Sequence, residues 1–251
     1  MLEKIIADVY KYGNSETFKY LFLSFYKRLS NFAKRKYRKS HKLINNNGLE
    51  IACERIPERK HYSLSGQDIF VSSLFSNLSK TNYYVEIGAG WPIKINNTYL
   101  LEHNFNWKGI SIDFDQEMSN TFNKKRINKC LFADATKINY LNLFASEDLP
   151  FDLDYLSLDI DPANQTLLVL SLIPFDTYKF KVITFEHDTY RNGSLIKIVS
   201  RLLLTKYGYL CVYKDVKAAG FGKYEDWWIH PKYISIQEGI DAAEKARNLK
   251  N

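Results

Sequence analysis

Apolar and polar positions change rhythm about a quarter of the way along the chain. From residue 67 onward, short apolar runs alternate with stretches whose apolar residues recur every three or four positions. Those are the periods of buried strands and of helices with one buried face. Tyr83–Ile87, Gly109–Ile112, Lys129–Phe132, Tyr155–Leu158 and Val182–Phe185 predict strands, and Tyr209–Val216 and Trp227–His230 predict two more. Gln67–Leu78, Thr98–Phe105, Glu117–Arg126 and Leu195–Lys206 predict helices, the last ending near Gly208. Strands alternating with helices build an α/β domain, doubly wound around a mostly parallel sheet. In such a sheet a ligand lies beyond the carboxyl ends of the strands.

Before Gly48 the pattern is helical only. Residues 3–12 and 17–39 read as helices, and Phe18, Leu21, Phe22, Phe25, Leu29 and Phe32 line one side of the second. Asn45-Asn46-Asn47-Gly48 signals a loop. The expected division is a basic helical extension over 1–61 and a second domain over 62–251. The apolar stripe is expected to pack on that domain or on a second copy of the chain, as a homodimer. Attachment to a membrane surface is the lesser alternative.

Charge follows the same division. Residues 1–61 hold 14 Lys and Arg against 6 Asp and Glu, while the remainder hold 21 against 22. The +7 net charge therefore belongs to the extension. A basic face draws anionic partners, or is simply solvated. The neutral body argues against a nucleic-acid groove through the core.

Hydrophobic residues make up 45% of the chain, enough for a sizeable core, which excludes global disorder. No run of about 18 apolar residues occurs, so no membrane span is expected. The N-terminus lacks the long apolar stretch of a secretory signal. Cys53, Cys130 and Cys211 are far apart with no CxxC spacing, which argues against a disulfide framework or a cysteine zinc site. Cytoplasm is the expected compartment.

The predicted strand ends carry the chemistry. The first ends in Glu86-Ile87-Gly88-Ala89-Gly90, where two glycines permit a tight turn and close backbone approach to a ligand. The second ends at Asp113, 23 residues after Gly90, placed to accept from a ribose diol. The third leads to Asp134-Ala135, where the acid could read an exocyclic amine. The fourth ends in Asp159-Ile160-Asp161-Pro162 and the fifth in Glu186-His187-Asp188. Each acid alone is commonly a cap or a solvated loop residue. Acids after five successive strands gather along one edge. Trp91-Pro92 replaces the third glycine of a dinucleotide fingerprint, which disfavours a pyrophosphate cofactor and suits a nucleoside without one.

As an ordered set, these segments resemble the FkbM-type methyltransferases. The matching pieces are Ser65-Gly66-Gln67-Asp68, Tyr84-Val85-Glu86-Ile87-Gly88-Ala89, Thr98-Tyr99-Leu100-Leu101-Glu102, Asn106-Trp107-Lys108-Gly109-Ile110, Leu156-Ser157-Leu158-Asp159-Ile160-Asp161, Ile183-Thr184-Phe185-Glu186-His187 and Glu225-Asp226-Trp227-Trp228. The resemblance covers about residues 62–232. It implies a Rossmann-like, seven-stranded fold and S-adenosylmethionine as methyl donor. Ser65, Gln67, Glu86, Gly88, Ala89, Gly90, Asp113, Asp134, Ala135 and Asp159 would then surround the donor. It implies methyl transfer to oxygen, often on a sugar. The turn Asp159-Ile160-Asp161-Pro162-Ala163-Asn164 departs from the family's D-x-E-G-x-E-like turn, because Pro162 fixes φ and removes a donor.

The expected acceptor is a small molecule, a nucleotide-sugar or glycan for a surface polysaccharide. His187 is the expected base, since an imidazole titrates near operating pH, with Asp161 and Asp188 as further catalytic candidates. A divalent cation held by Asp159, Asp161, His187 and Asp188 is an alternative and not the expected case. The rival functions are a nucleic-acid or protein methyltransferase docked through the basic N-terminus, and a non-catalytic cofactor-binding scaffold.

Overall fold

A computed structural model describes residues 61–75, 80–218 and 222–248. The predicted N-terminal helices, their apolar stripe and the 45–48 loop lie outside the described residues.

Seven strands form one sheet in the order β3-β2-β1-β4-β5-β7-β6. They are β1 (Tyr83–Ile87), β2 (Lys108–Asp113), β3 (Lys129–Phe132), β4 (Asp152–Leu158), β5 (Lys179–Glu186), β6 (Leu210–Lys217) and β7 (Lys223–Ile229). The first five are parallel, and β7 runs antiparallel to both β5 and β6. Eight helices are described: α1 (Gln67–Leu74), α2 (Tyr99–Phe105), α3 (Gln116–Lys125), α4 (Tyr140–Ser146), α5 (Ala163–Leu172), α6 (Thr189–Asn192), α7 (Leu195–Lys206) and α8 (Ile236–Arg247). The Rossmann-like, doubly wound, mostly parallel arrangement expected from the sequence is the one observed. Among the described residues no helix is long and apolar enough to cross a membrane.

Register aligns side chains into rows across one face of the sheet, because alternate residues of a strand point the same way. Tyr84, Tyr155, Val182 and Ile229 form an apolar row. It packs with Phe70 and Val71 of α1, Leu101 of α2 and Ala242, Ala243 and Ala246 of α8. One step toward the carboxyl edge the row reads Glu86, Ser111, Ser157, Thr184 and Trp227. All five are buried. The last step brings Asp113, Asp159, Glu186 and Glu225 to the edge, the last two directly paired. The face thus grades from apolar to acidic along the strands. Val85, Leu156, Ile183 and Trp228 share the opposite, equally buried face, where Arg201 of α7 reaches the sheet at Asp226.

The sheet's outermost strand on one side, β6, pairs irregularly with β7, with three register shifts. Asp215 within it takes a positive φ of 57°.

Candidate functional site

β1 and β4 end in contact. Gly88 has φ 87°, and a Cβ there would lie 1.6 Å from the Asp159 carbonyl oxygen. Gly88 is therefore glycine because β4 leaves no room, a reason beyond the ligand approach expected from the sequence. Gly90 also has positive φ, 56°, but faces open space. Its amide donates to Asp113 Oδ2 at 2.7 Å, while Asp113 Oδ1 accepts from Asp115 N at 2.8 Å. This fixes the Asp113 carboxylate at the edge of β2.

A cleft of about 250 Å³ opens there. Its walls include Gly88, Asp113, Asp134, Ala135 and Asp161, five of the sequence-predicted residues. Ile112, Phe114, Ala133, Ile160 and Gln165 complete it. The sequence reading passed over these, although strand-end neighbours of the chosen acids were the natural place to look. Phe114 is 73% exposed, a largely uncovered aromatic ring. Asp134 is already engaged: its Oδ1 accepts from the Thr136 amide at 3.0 Å and hydroxyl at 2.6 Å, and Lys137 lies 2.9 Å from Oδ2. The Thr136 hydroxyl leads in holding its carboxyl below the usual range.

Six predicted donor residues are not in the cleft wall: Gly90 and Asp159 adjoin wall residues Asp113 and Gly88, and the other four stand back from it. Glu86 is buried and accepts from Ser111 Oγ (2.7 Å), Thr98 Oγ1 (2.9 Å) and Asn96 Nδ2 (3.1 Å). Burial raises its carboxyl pKa, with Arg126 opposing. Its contacts shape the 88–98 segment rather than meet a ligand. Ala89 is also buried, its amide on the Ile112 carbonyl. Ser65 and Gln67 lie instead beside β7. Gln67 Oε1 accepts from Ser65 N, and Nε2 donates to Tyr224 Oη and Glu225 Oε2. Glu225 also accepts from the Trp227 indole, and burial pushes its carboxyl up to about 8.

Past β4 and β5 the carboxyls gather. Asp159 and Glu186 are hydrogen-bonded to one another. Burial raises both, Glu186 well above the ordinary range because Asp159's charge adds to it. Asp188 follows in the left-handed region at φ 45°, with its side chain 1% exposed and Oδ1 without a hydrogen-bond partner. Burial pushes its carboxyl up to about 6, against the pull of Arg191. Arg191 Nη1 lies 3.4 Å from Asp188 Oδ2 and 3.5 Å from Asp161 Oδ1. Asp161, 60% exposed, is the member that lines the cleft. Four carboxyls face one guanidinium.

His187 does not join them. It points to the opposite side of β5 from Glu186 and is fully buried. Its Nδ1 faces the Thr189 amide and hydroxyl, at 3.3 and 2.8 Å, and Nε2 lies 3.5 Å from Asp226 Oδ1. The amide can only donate, so Nδ1 accepts and Nε2 carries the proton. The imidazole is engaged by Thr189 and Asp226 and does not line the cleft, so the described geometry does not bring the expected base to it. The same geometry removes His187 from the cation set with Asp159, Asp161 and Asp188. Among the described residues the cluster spaced for a metal is instead His187, Asp215 and Asp226. Its oxygens are occupied by cations. Arg201 Nε and Nη2 grip Asp226 at 2.7 and 2.8 Å, and Lys197, Arg201 and Lys223 surround Asp215 within 3.3 Å. Burial alone would raise Asp226; the Arg201 fork overrides it and holds the carboxyl at about 2. Two carboxylates among three cations form an ion network and leave little field for a metal ion.

No protein-family model and no curated protein matches the sequence. Solved structures do match. A putative O-methyltransferase from Klebsiella pneumoniae is 11% identical over 79% of this chain and 96% of that one, with a TM-score of 0.48. An O-methyltransferase from Bacillus cereus in complex with SAH is 10% identical, covering 79% and 97%, also with a TM-score of 0.48. A SAM-dependent methyltransferase from Archaeoglobus fulgidus is 14% identical, covering 61% and 86%, with a TM-score of 0.39. At these values the likeness carries no functional weight, and the site's own chemistry must.

Proposed function

We propose that the protein is an S-adenosylmethionine-dependent O-methyltransferase acting on a hydroxyl of a sugar or glycan, a nucleotide-activated sugar being the preferred acceptor. The observation that carries this is the Asp113 carboxylate, fixed by the Gly90 amide at the rim of a cleft of about 250 Å³. A carboxylate there suits a ribose diol, exposed Phe114 offers a face for a flat base, and positive-φ Gly90 leaves room beside the backbone. The acidic group at the ends of β4 and β5 suits the other substrate. Carboxyls in excess of cations accept hydrogen bonds from several hydroxyls at once.

The sulfonium is an activated leaving group, so the protein has to align the acceptor and remove one proton. As the methyl carbon bonds to the acceptor oxygen, its bond to sulfur breaks and the pair returns to sulfur, giving S-adenosylhomocysteine. The hydroxyl proton goes to a carboxylate. Asp188 is assigned that role in this proposal because it shares the Arg191 guanidinium with cleft-lining Asp161 and its Oδ1 has no hydrogen-bond partner; burial pushes its carboxyl up to about 6. Asp161, on the cleft wall, orients the hydroxyl. Titration calorimetry with S-adenosylmethionine tests the donor half. A screen of nucleotide-sugars and free glycans, read by a mass gain of one methyl, tests the acceptor half. Absence of donor binding would sink the proposal.

A further inference from the structure

The segment from Gly88 to Thr98 joins β1 to α2 and supplies the Gly90 amide that fixes Asp113. Its shape is imposed from outside. Arg126 follows α3 directly and is buried. Its Nη1 donates to the Pro92 carbonyl at 2.8 Å and to Asn96 Oδ1 at 3.0 Å. Its Nη2 donates to Thr98 Oγ1 at 3.1 Å, and Nε to Glu102 Oε2 at 3.0 Å. Asn96 relays the hold to the other end, donating from Nδ2 to the Ala89 carbonyl and to Glu86 Oε1, both at 3.1 Å. One guanidinium therefore holds the middle and end of the segment directly, and its beginning through Asn96.

A second observation points the same way. Ile95, beside Asn96, has φ 54°. A β-branched residue in the left-handed region is strained and persists only where its surroundings over-determine it. Such constraint concentrates where a ligand must meet a preformed surface.

We propose that Arg126 is a positioning residue for the donor side of the cleft: it holds residues 88–98 in shape, so that Gly90 and Asp113 are spaced before the donor arrives. The inference rests on the donor-binding role proposed above for that cleft. It assigns Arg126 no contact with the ligand.

The test uses the full chain as wild type, Arg126→Lys and Arg126→Gln. Lysine keeps the charge beside Glu102 but cannot reproduce the fork. Two quantities are measured: the Kd for S-adenosylmethionine by calorimetry, and amide exchange of residues 88–98 against that of β4 and β5. The expected result is exchange at least tenfold faster in 88–98 with β4 and β5 unchanged, and donor affinity weaker by roughly tenfold or more. Unchanged exchange in the segment overturns the proposal. So does faster exchange with an unchanged Kd. If neither variant folds, Arg126 is a folding residue and the proposal also fails. A wild-type protein that binds no S-adenosylmethionine defeats the donor reading itself, and the exchange arm still decides whether Arg126 shapes the segment.

Discussion

Gly88 and Asp159 meet so closely that the space for a side chain on one is filled by the backbone of the other. The contact joins the end of β1, where the donor segment begins, to the end of β4, where the carboxyl group begins. Gly88→Ala is accordingly expected to cost more than about 3 kcal/mol, through a clash with backbone and a positive φ. Gly90→Ala meets no atom and pays only the left-handed penalty of about 1–2 kcal/mol. Urea unfolding of the two variants checks this, and equal losses would show that β1 and β4 can separate.

Asp113→Ala removes the carboxylate facing the cleft. A charged hydrogen bond is worth about 1.5–3 kcal/mol, so donor affinity should fall by roughly ten- to a hundredfold. Calorimetry reads the result. Wild-type affinity in the variant would place the ribose elsewhere.

Asp188→Asn should lower kcat by about 10²–10⁴ while leaving donor Kd unchanged. Activity of the wild type should rise with pH through about 6, as the carboxyl loses its proton, and the variant should lose that limb. A retained limb would hand the role to Asp161.

His187 offers a paired substitution. Asparagine places an acceptor near the Nδ1 position and can still receive the Thr189 amide; glutamine reaches toward Nε2 and cannot. His187→Asn is expected to keep kcat within about tenfold, far short of the 10²–10⁴ lost with a true base. His187→Gln should loosen the Thr189–Asn192 turn that carries Arg191. A loss of 10³ in both variants would restore His187 as the base.

Glu225 sets an alkaline trend in stability. Its folded pKa, about 8, lies above the ordinary 4.5 because of burial. The folded state then holds the proton more tightly than the unfolded chain, so stability falls as pH rises from about 4.5 to 8 and levels off above. One proton gives a slope of at most about 1.4 kcal/mol per pH unit. Glu225→Gln should flatten the decline of Tm between pH 5 and 8, and an unaltered slope would assign it to other groups.

The strands were legible because each is a short apolar run with a clear end; β1, β3 and α7 have the predicted limits. Helices α4, α5, α6 and α8 were passed over. α5 is apolar almost all round and shows no amphipathic period. α8 did carry a signal, the Ser235–Glu238 capping box. Counting to strand ends picked out Asp113 and Asp161, which line the cleft, and Asp188, which lies beside Arg191. It could not tell which side of β5 each side chain takes, and that alternation separates His187 from Glu186. Arg126 was invisible as a site residue because its partners, Pro92, Asn96, Thr98 and Glu102, are 24 to 34 residues away in sequence.

The irregular pairing of β6 has a consequence for the protein in concentrated solution. A last strand with three register shifts and a left-handed residue in its middle presents no straight ladder of free amides and carbonyls. Lys214 and Lys217 add like charges along the same strand. A second sheet meeting this border would find its bonding groups out of step and its approach repelled. Among the described residues, the strand that carries Asp215 to Arg201 and Lys197 is thus a poor template for strand addition.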